Sequence, residues 1–380
     1  MKFRFADLLQ AGAIAAYCIV AGLFLSIGIY DDGPVYWSQF PLGEGLLIIA
    51  AVGGVIGEYW LRRRENGRIW AALGPLLLVA GAAALIILPT DELQLGSSAH
   101  GFWLALVGIA FLAWSVMDHL ASMSGNRWIG FFVPLIFGLL LVYLWQAIVV
   151  GFAVPQVLLP TPVQIASALV RGAPTLAGDF QQTFLKAVLA GFVLGNLVGF
   201  ATALLADRVP FVARGLLPLG NFASAVPIVG IAPIMVMWFG FGWESKTAVI
   251  VFMIFFPMLI NALAGLNAAD RMSLDLMRSY GASYGQTLLK LRLPMALPFV
   301  FNALKINSTL ALIGAIVSEF FGSPTAGMGF RISVEAARMG LDMVWATIAV
   351  AAVAGSAFYG ILALLERAFT FWHPSYRAQN

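Results

Sequence analysis

Few side chains in this 380-residue sequence have the chemistry to bind or catalyse, and most of those lie inside apolar runs. Lys305 sits in one such run with Asn302, Asn307, Ser308 and Thr309 around it, and Glu319 lies near its far end. Charged and amide groups are costly in lipid and usually face a cavity or another helix. Asn302, Lys305 and Glu319 are therefore candidates for lining a solute pathway. Two plainer readings stand beside that one. Lys305 can snorkel its ammonium toward the membrane surface, and Glu319 can brace the loop at the end of its helix. Met235, Met237 and Trp238 follow Pro227 and Pro233. Prolines break the helical ladder, so this kinked segment is either a gate or a lipid-facing span.

Other chemistries find no support. His100, His119 and His373 are scattered, which argues against a metal site, and Cys18 has no second cysteine to pair with. The stretch 240–247 (Gly-Phe-Gly-Trp-Glu-Ser-Lys-Thr) has the look of a phosphate loop. It lacks the glycine directly before the lysine and the preceding strand that such a loop needs. No nucleotide, metal or cofactor is expected on this chain. A membrane-embedded enzyme would need a convergent acid–base cluster, and the sequence offers none.

The most informative polar stretch is 275–283, Asp-Leu-Met-Arg-Ser-Tyr-Gly-Ala-Ser, running on to Leu293-Pro294 and Leu297-Pro298. Asp275, Arg278, Ser279, Ser283, Gln286 and Thr287 alternate with apolar residues at roughly helical spacing. Gly281 can turn the chain where other residues resist. Pro294 and Pro298 limit where the next helix begins. The spacing predicts two short helices joined at a glycine and presented on one membrane face. An amphipathic connector lying in the interface is the plainer alternative.

This pattern, acidic-x-x-Arg-Ser-x-Gly-Ala-Ser followed by Leu-Pro, resembles the cytoplasmic coupling loop of bacterial ABC-importer permeases, the binding-protein-dependent inner-membrane permease family. The family's loop often opens Glu-Ala-Ala; here those positions read Asp275-Leu276-Met277. The resemblance continues through 226–242, Phe256-Pro257, Glu319-Phe-Phe-Gly322 and Gly327-Met-Gly329. It covers about residues 130–377, nearest the nitrate/sulfonate/taurine branch. It implies a type I importer core with Asp275, Arg278, Ser279, Gly281, Ala282, Ser283 and Pro294 as ATPase-coupling residues. Implied partners are a second permease copy in a homodimer, two cytoplasmic ATP-binding subunits carrying ATP and Mg, and an extracytoplasmic substrate-binding protein. Nothing points to nucleic acid. The implied cargo is a small anion such as a sulfonate, taurine or nitrate, or a small heterocycle such as a pyrimidine or flavin. A stand-alone secondary transporter or channel is the alternative. It would show inverted-repeat halves and midplane charge clusters, and neither is visible.

The elements that must position these residues follow from composition. Hydrophobic residues make up 61% of the chain and charged ones 10%. A soluble domain carries roughly 25% charged residues, so lipid is this chain's solvent. Apolar runs near the ~20 residues needed to cross a bilayer fall at 11–30, 42–60, 70–88, 101–117, 129–152, 184–206, 216–239, 248–266, 299–320 and 344–365. The expected fold is an all-α polytopic membrane protein of about ten transmembrane helices. With both termini cytoplasmic, 15 of the 21 Lys and Arg residues face inward, four outward and two lie within spans, as the positive-inside rule requires. The expected location is the bacterial inner membrane.

Residues 1–128 read as a four-helix membrane extension of unknown role, and 129–380 as the permease domain with its coupling loop at 268–298. Gly191, Gly195 and Gly199 mark one helix face as a close packing seam. Outside the spans, the prolines of 153–180 predict an extended segment, a short amphipathic helix and a turn. Residues 323–342 predict a shallow loop bearing a polar helix.

Overall fold

The computed structural model describes residues 5–30, 33–62, 67–86, 96, 98–122, 127–209, 211, 212, 214–216, 218, 226–322 and 325–371. It divides into two compact units, Met1–Gln164 and Ile165–Asn380.

The first unit holds α1 (Phe5–Leu23), α2 (Pro41–Arg62), α3 (Gly67–Ile86), α4 (His100–Ser122) and α5 (Arg127–Gly151). Glycines set how closely these helices approach. A Cβ on Gly22 would lie 2.8 Å from the Gly101 carbonyl oxygen, and one on Gly108 would lie 2.5 Å from Ile19. The order of those contacts makes α1 and α4 antiparallel. Packing places α5 against α4 and hence in this unit, so the division by packing falls later in the chain than the motif-based one at 128.

The expectation of an all-α chain needs a correction here. The apolar run 11–30 is helical only to Leu23; β1 (Ser26–Tyr30) then pairs antiparallel with β2 (Gly33–Tyr36). The reason is visible in the alternation of Ser-Ile-Gly-Ile-Tyr. Ile27 and Ile29 recur at a sequence period of two, which suits a strand rather than a helix; the pairing is irregular between Ser26 and Gly28, and Ile27 is buried while Ile29 is exposed. The Ser26 hydroxyl donates to the Ser98 carbonyl at 3.2 Å, and fully buried Trp37 follows the hairpin.

The second unit contains α7 (Ala173–Phe180), a π-helical turn (Gln181–Val188) and α8 (Leu189–Arg208). These are followed by α9 (Ile228–Phe239), α10 (Trp243–Leu266), α11 (Arg271–Ser279) and α12 (Tyr284–Thr287). A second π-helical turn (Leu288–Arg292) leads into α13 (Leu293–Gly322), then α14 (Met328–Ala337) and α15 (Leu341–Phe369). The amphipathic helix α6 (Pro162–Arg171) runs across the division. Pro174, read as a breaker, lies in the first turn of α7, where a missing N–H costs nothing. The rod therefore begins at Ala173, eleven residues before the expected span at 184. Of the expected span 216–239, helix α9 starts after Pro227, and residues 217 and 219–225 lie outside the described set.

Among the described residues six helices are long and apolar enough to cross a membrane: His100–Asp118, Phe132–Gly151, Ala173–Arg208, Trp243–Leu266, Tyr284–Gly322 and Leu341–Phe369. Four shorter apolar helices, Ala13–Leu23, Pro41–Ile56, Gly74–Leu85 and Ile228–Phe239, occupy the other expected runs.

The core of the second unit is the packing of α8, α10 and α13. A Cβ on Gly191 would lie 2.6 Å from Ile250, on Gly195 2.5 Å from Ile254, and on Gly199 2.7 Å from the Phe255 carbonyl and 3.0 Å from Met258. Both series ascend together, so α8 and α10 are parallel. The chain between them must therefore return along their length, and α9 lies in that return. Gly265 meets Ala296 and Gly314 meets Met253, so α13 runs antiparallel to α10. At the middle of this seam Asn307 donates to Asn196 at 2.6 Å and to the Ile254 carbonyl at 3.1 Å.

Candidate functional site

The loop 268–298 is built from three local signals. Asp270 caps α11, accepting from the Ser273 amide at 2.5 Å, and that hydrogen bond holds its carboxyl below the usual carboxylate range. At the far end the Gly281 amide donates to the Arg278 carbonyl at 2.9 Å, and the Ala282 amide donates to the Met277 carbonyl at 3.0 Å. These two bonds form a Schellman cap, which needs the left-handed φ of +63° found at Gly281. Ser283 then opens α12 with a capping box: its amide donates to Gln286 at 2.8 Å and its hydroxyl accepts from the Gln286 amide at 3.3 Å. Pro294 sits in the first turn of α13.

None of α11's residues is buried. Asp275 and Arg278 pair with each other at 3.0 Å on the exposed face, and Ser279 donates back to the Asp275 carbonyl. The outward surface also carries Met272, Leu276 and Tyr280, which are 83%, 57% and 82% exposed. Spaced four apart, they form one apolar stripe on the helix. The sequence reading picked out the polar residues and missed this stripe; its i, i+4, i+8 spacing was the available signal.

The loop's polar ties to the spans, among the described residues, run through Tyr284 and Arg292. The Arg292 guanidinium forks onto Asp207 at the end of α8, with Nη1 to Oδ2 at 2.8 Å and Nη2 to Oδ1 at 2.6 Å. Its Nε donates to the Leu266 carbonyl, the last of α10, at 2.8 Å, and Nη2 reaches Asn267 at 3.1 Å. Tyr284 donates to Asp207 at 2.6 Å, and the Arg208 guanidinium lies 4.6 Å from the Tyr284 ring centre.

The intramembrane candidates separate. Lys305 donates to Glu366 of α15 at 2.6 Å, a largely buried pair, so its ammonium is held between two helices. Glu366 was the residue missing from the sequence reading. Asn302 lies exposed, 3.4 Å from Asn261. Met237 and Trp238 are exposed, while Met235 and Trp238 line an open cavity of about 600 Å³ with Phe239, Trp243, Phe252 and Phe255.

Glu319 belongs to a different cluster. It is 2% exposed, and accepts from the Thr183 hydroxyl at 2.7 Å and the Gly329 amide at 2.7 Å. Thr183 in turn accepts from the Met328 amide. Asp179, also buried, accepts from the Gly327 amide at 2.9 Å and from Arg331 at 2.8 Å. The Asp179 carboxylate pushes the Arg331 guanidinium pKa further up. Lys246, 1% exposed, donates to the carbonyls of Phe241 and Gly322. The Gly327-Met-Gly329 motif is thereby explained. Gly327 has φ +135°, and a Cβ there or at Gly329 would strike Glu319 or the Ile316 carbonyl. This geometry braces the loop following α13. Among the described residues no three His, Cys, Asp or Glu side chains gather in an arrangement that could hold a metal ion.

Residues 195–371 match the family model described as "Binding-protein-dependent transport system inner membrane component". The chain is 34% identical over 215 residues to a probable ABC transporter permease protein of Haemophilus influenzae, covering 57% of this chain and 87% of that protein. It is 28% identical to a riboflavin transport system permease protein of Chloroflexus aurantiacus, over 68% of this chain and 97% of the relative. It is 31% identical to the taurine transport system permease protein of Escherichia coli, over 61% and 86%.

Proposed function

The chain belongs to the binding-protein-dependent transport system inner-membrane component family, and from that premise we propose that it is the membrane-spanning subunit of an ATP-driven importer. The observation that carries the mechanism is α11, a capped helix with an apolar stripe turned outward, in a loop whose polar ties to the spans, among the described residues, run through Tyr284 and Arg292. That is the construction of a docking knob. The partners are a second copy of this chain, two cytoplasmic subunits that bind ATP and Mg, and an extracytoplasmic substrate-binding protein. ATP binding draws the ATPases together and moves loop 268–298, and the helices rock to open the pathway outward; hydrolysis reverses the movement. Such coupling needs a rigid element with two positions.

The cargo is a small solute. Similar permeases are named for taurine and for riboflavin. Among the described residues the aromatic cavity beside Met235 and Trp238 is lined by no Lys or Arg and by one acidic residue, Glu244, and this favours a flat heterocycle over a small oxyanion. Residues 1–128 are an added membrane portion. A relative matched over 97% of its own length accounts for only 68% of this chain. The direct test is uptake into vesicles reconstituted with the chain, its ATPase and its binding protein. Import of the solute held by that binding protein should require ATP. Uptake that continues without ATP would establish the stand-alone transporter instead.

Topology is tested separately. The 15-to-4 charge split and the parallel run of α8 and α10 support cytoplasmic termini and loop, with 323–340 outside. In a background with Cys18 replaced by Ala, cysteines at exposed Tyr280 and Met339 should label from opposite sides of the membrane. Labelling from the same side rules this topology out.

A further inference from the structure

Arg292 occupies an unusual position. One guanidinium in the loop uses Nε, Nη1 and Nη2 to bind the ends of two parallel spans, Asp207 of α8 and the Leu266 carbonyl of α10. The bond to Leu266 satisfies a helix-terminal carbonyl that the helix itself cannot pair. A cation there also complements the negative ends of both helix dipoles. The contact is well shielded: the Asp207 side chain is 4% exposed and that of Arg292 15%. Tyr284, two helical turns earlier on the same arm of the loop, adds a second bond to the same carboxylate. By contrast α11, where a partner would push, has no buried residue.

We infer that Arg292 and Asp207 are positioning residues for transport: their fork converts displacement of loop 268–298 into joint displacement of the inner ends of α8 and α10. The covalent chain ties the loop to α10 and α13 only. Without the fork, among the described residues α8 keeps polar links to the loop only at Tyr284, through its hydroxyl on Asp207 and its ring beside Arg208. The inference rests on the importer reading above and adds to it the joint through which movement reaches the core. Lysine cannot replace the fork, because it offers a point charge where a planar group makes three directed bonds.

The test uses the full complex purified with its ATPase and reconstituted in vesicles. Arg292→Lys keeps the charge at this site. Asp207→Arg with Arg292→Asp restores a pair if either single change harms folding. Expected for Arg292→Lys is unchanged co-purification of the ATPase with transport per ATP hydrolysed reduced roughly tenfold, within the usual range of coupling between sites. The exchanged pair should recover part of that loss. A merely structural role would not move a second readout, the distance between spin labels at exposed Arg271 and Leu205. That distance should hold constant on ATP addition in the parent chain and change in Arg292→Lys. Unchanged transport per ATP, or a label distance that behaves alike in both, overturns the inference. Failure of the parent chain to retain any ATPase would instead overturn the importer reading, and the inference would fall with it.

Discussion

Gly281→Asp is expected to leave the chain inserted in the membrane while it loses its ATPase. The backbone at Gly281 has φ +63°, and a Cβ built there meets nothing within 4 Å. The chain's own packing would therefore accept a side chain, and the penalty comes from two other sources. The left-handed conformation costs an L-residue about 1–2 kcal/mol, which weakens the Schellman cap and lets Tyr280 and the apolar stripe turn away. The new carboxylate also stands at the tip of the proposed docking surface. Together they should lower ATPase retention at least about tenfold, since 1.4 kcal/mol already corresponds to that factor. Gly281→Asn separates the two sources, because asparagine has nearly the same shape and a similar tolerance of this backbone region but carries no charge. It should bind the ATPase better than the aspartate variant. Co-purification and substrate-stimulated ATP hydrolysis are the measurements; both unchanged in Gly281→Asp would reduce this loop to a connector.

The second large effect falls on the opposite side of the core. Gly329→Ala places a methyl carbon 2.2 Å from the Ile316 carbonyl oxygen and 2.8 Å from the Glu319 Cβ. Both neighbours belong to α13, so neither can swing aside as a flexible side chain would. Relief requires α14 to back away. That movement breaks the Gly329 amide bond to Glu319 and exposes the Thr183 and Asp179 partners of the same cluster. Loss of a buried polar network belongs to the mechanisms behind the largest single-residue effects, and about 3 kcal/mol or more is expected. Thermal unfolding of the purified chain and protease sensitivity of 323–340 would report it. A melting temperature equal to that of the parent would show that the cluster does not hold this loop.

Much of the loop and seam was legible in sequence because the signals are local. The Ser283–Gln286 box, the turn at Gly281 and the three glycines at intervals of four each lie within a few residues. The ion pairs were not legible. Arg292 finds Asp207 85 positions away, Lys305 finds Glu366 across 61, and Arg331 finds Asp179 across 152. Composition identifies such charges as expensive in lipid and leaves open which helix brings the partner. The hairpin at Ser26–Tyr36 was missed for a different reason. A run of 20 apolar residues satisfies the length of a span, and only the alternation over its last five residues distinguishes strand from helix.

The two π-helical turns give the long spans a phase. Each stands just ahead of one: Gln181–Val188 before α8, and Leu288–Arg292 before α13. A π-turn holds one residue more than the α-helical turn it replaces, and one residue is about 100° of rotation at 3.6 per turn. Thr183 and Arg292 lie within these turns, so the direction in which each anchor points depends on that extra residue. Shortening either turn by one position would leave the rod long and apolar enough to span and the anchor residue itself in place. It would also swing the anchor about a quarter-turn relative to the span that follows, away from Glu319 in one case and from Asp207 in the other. For these two segments residue count carries information that hydropathy does not, and length variation there is less neutral than in the loops.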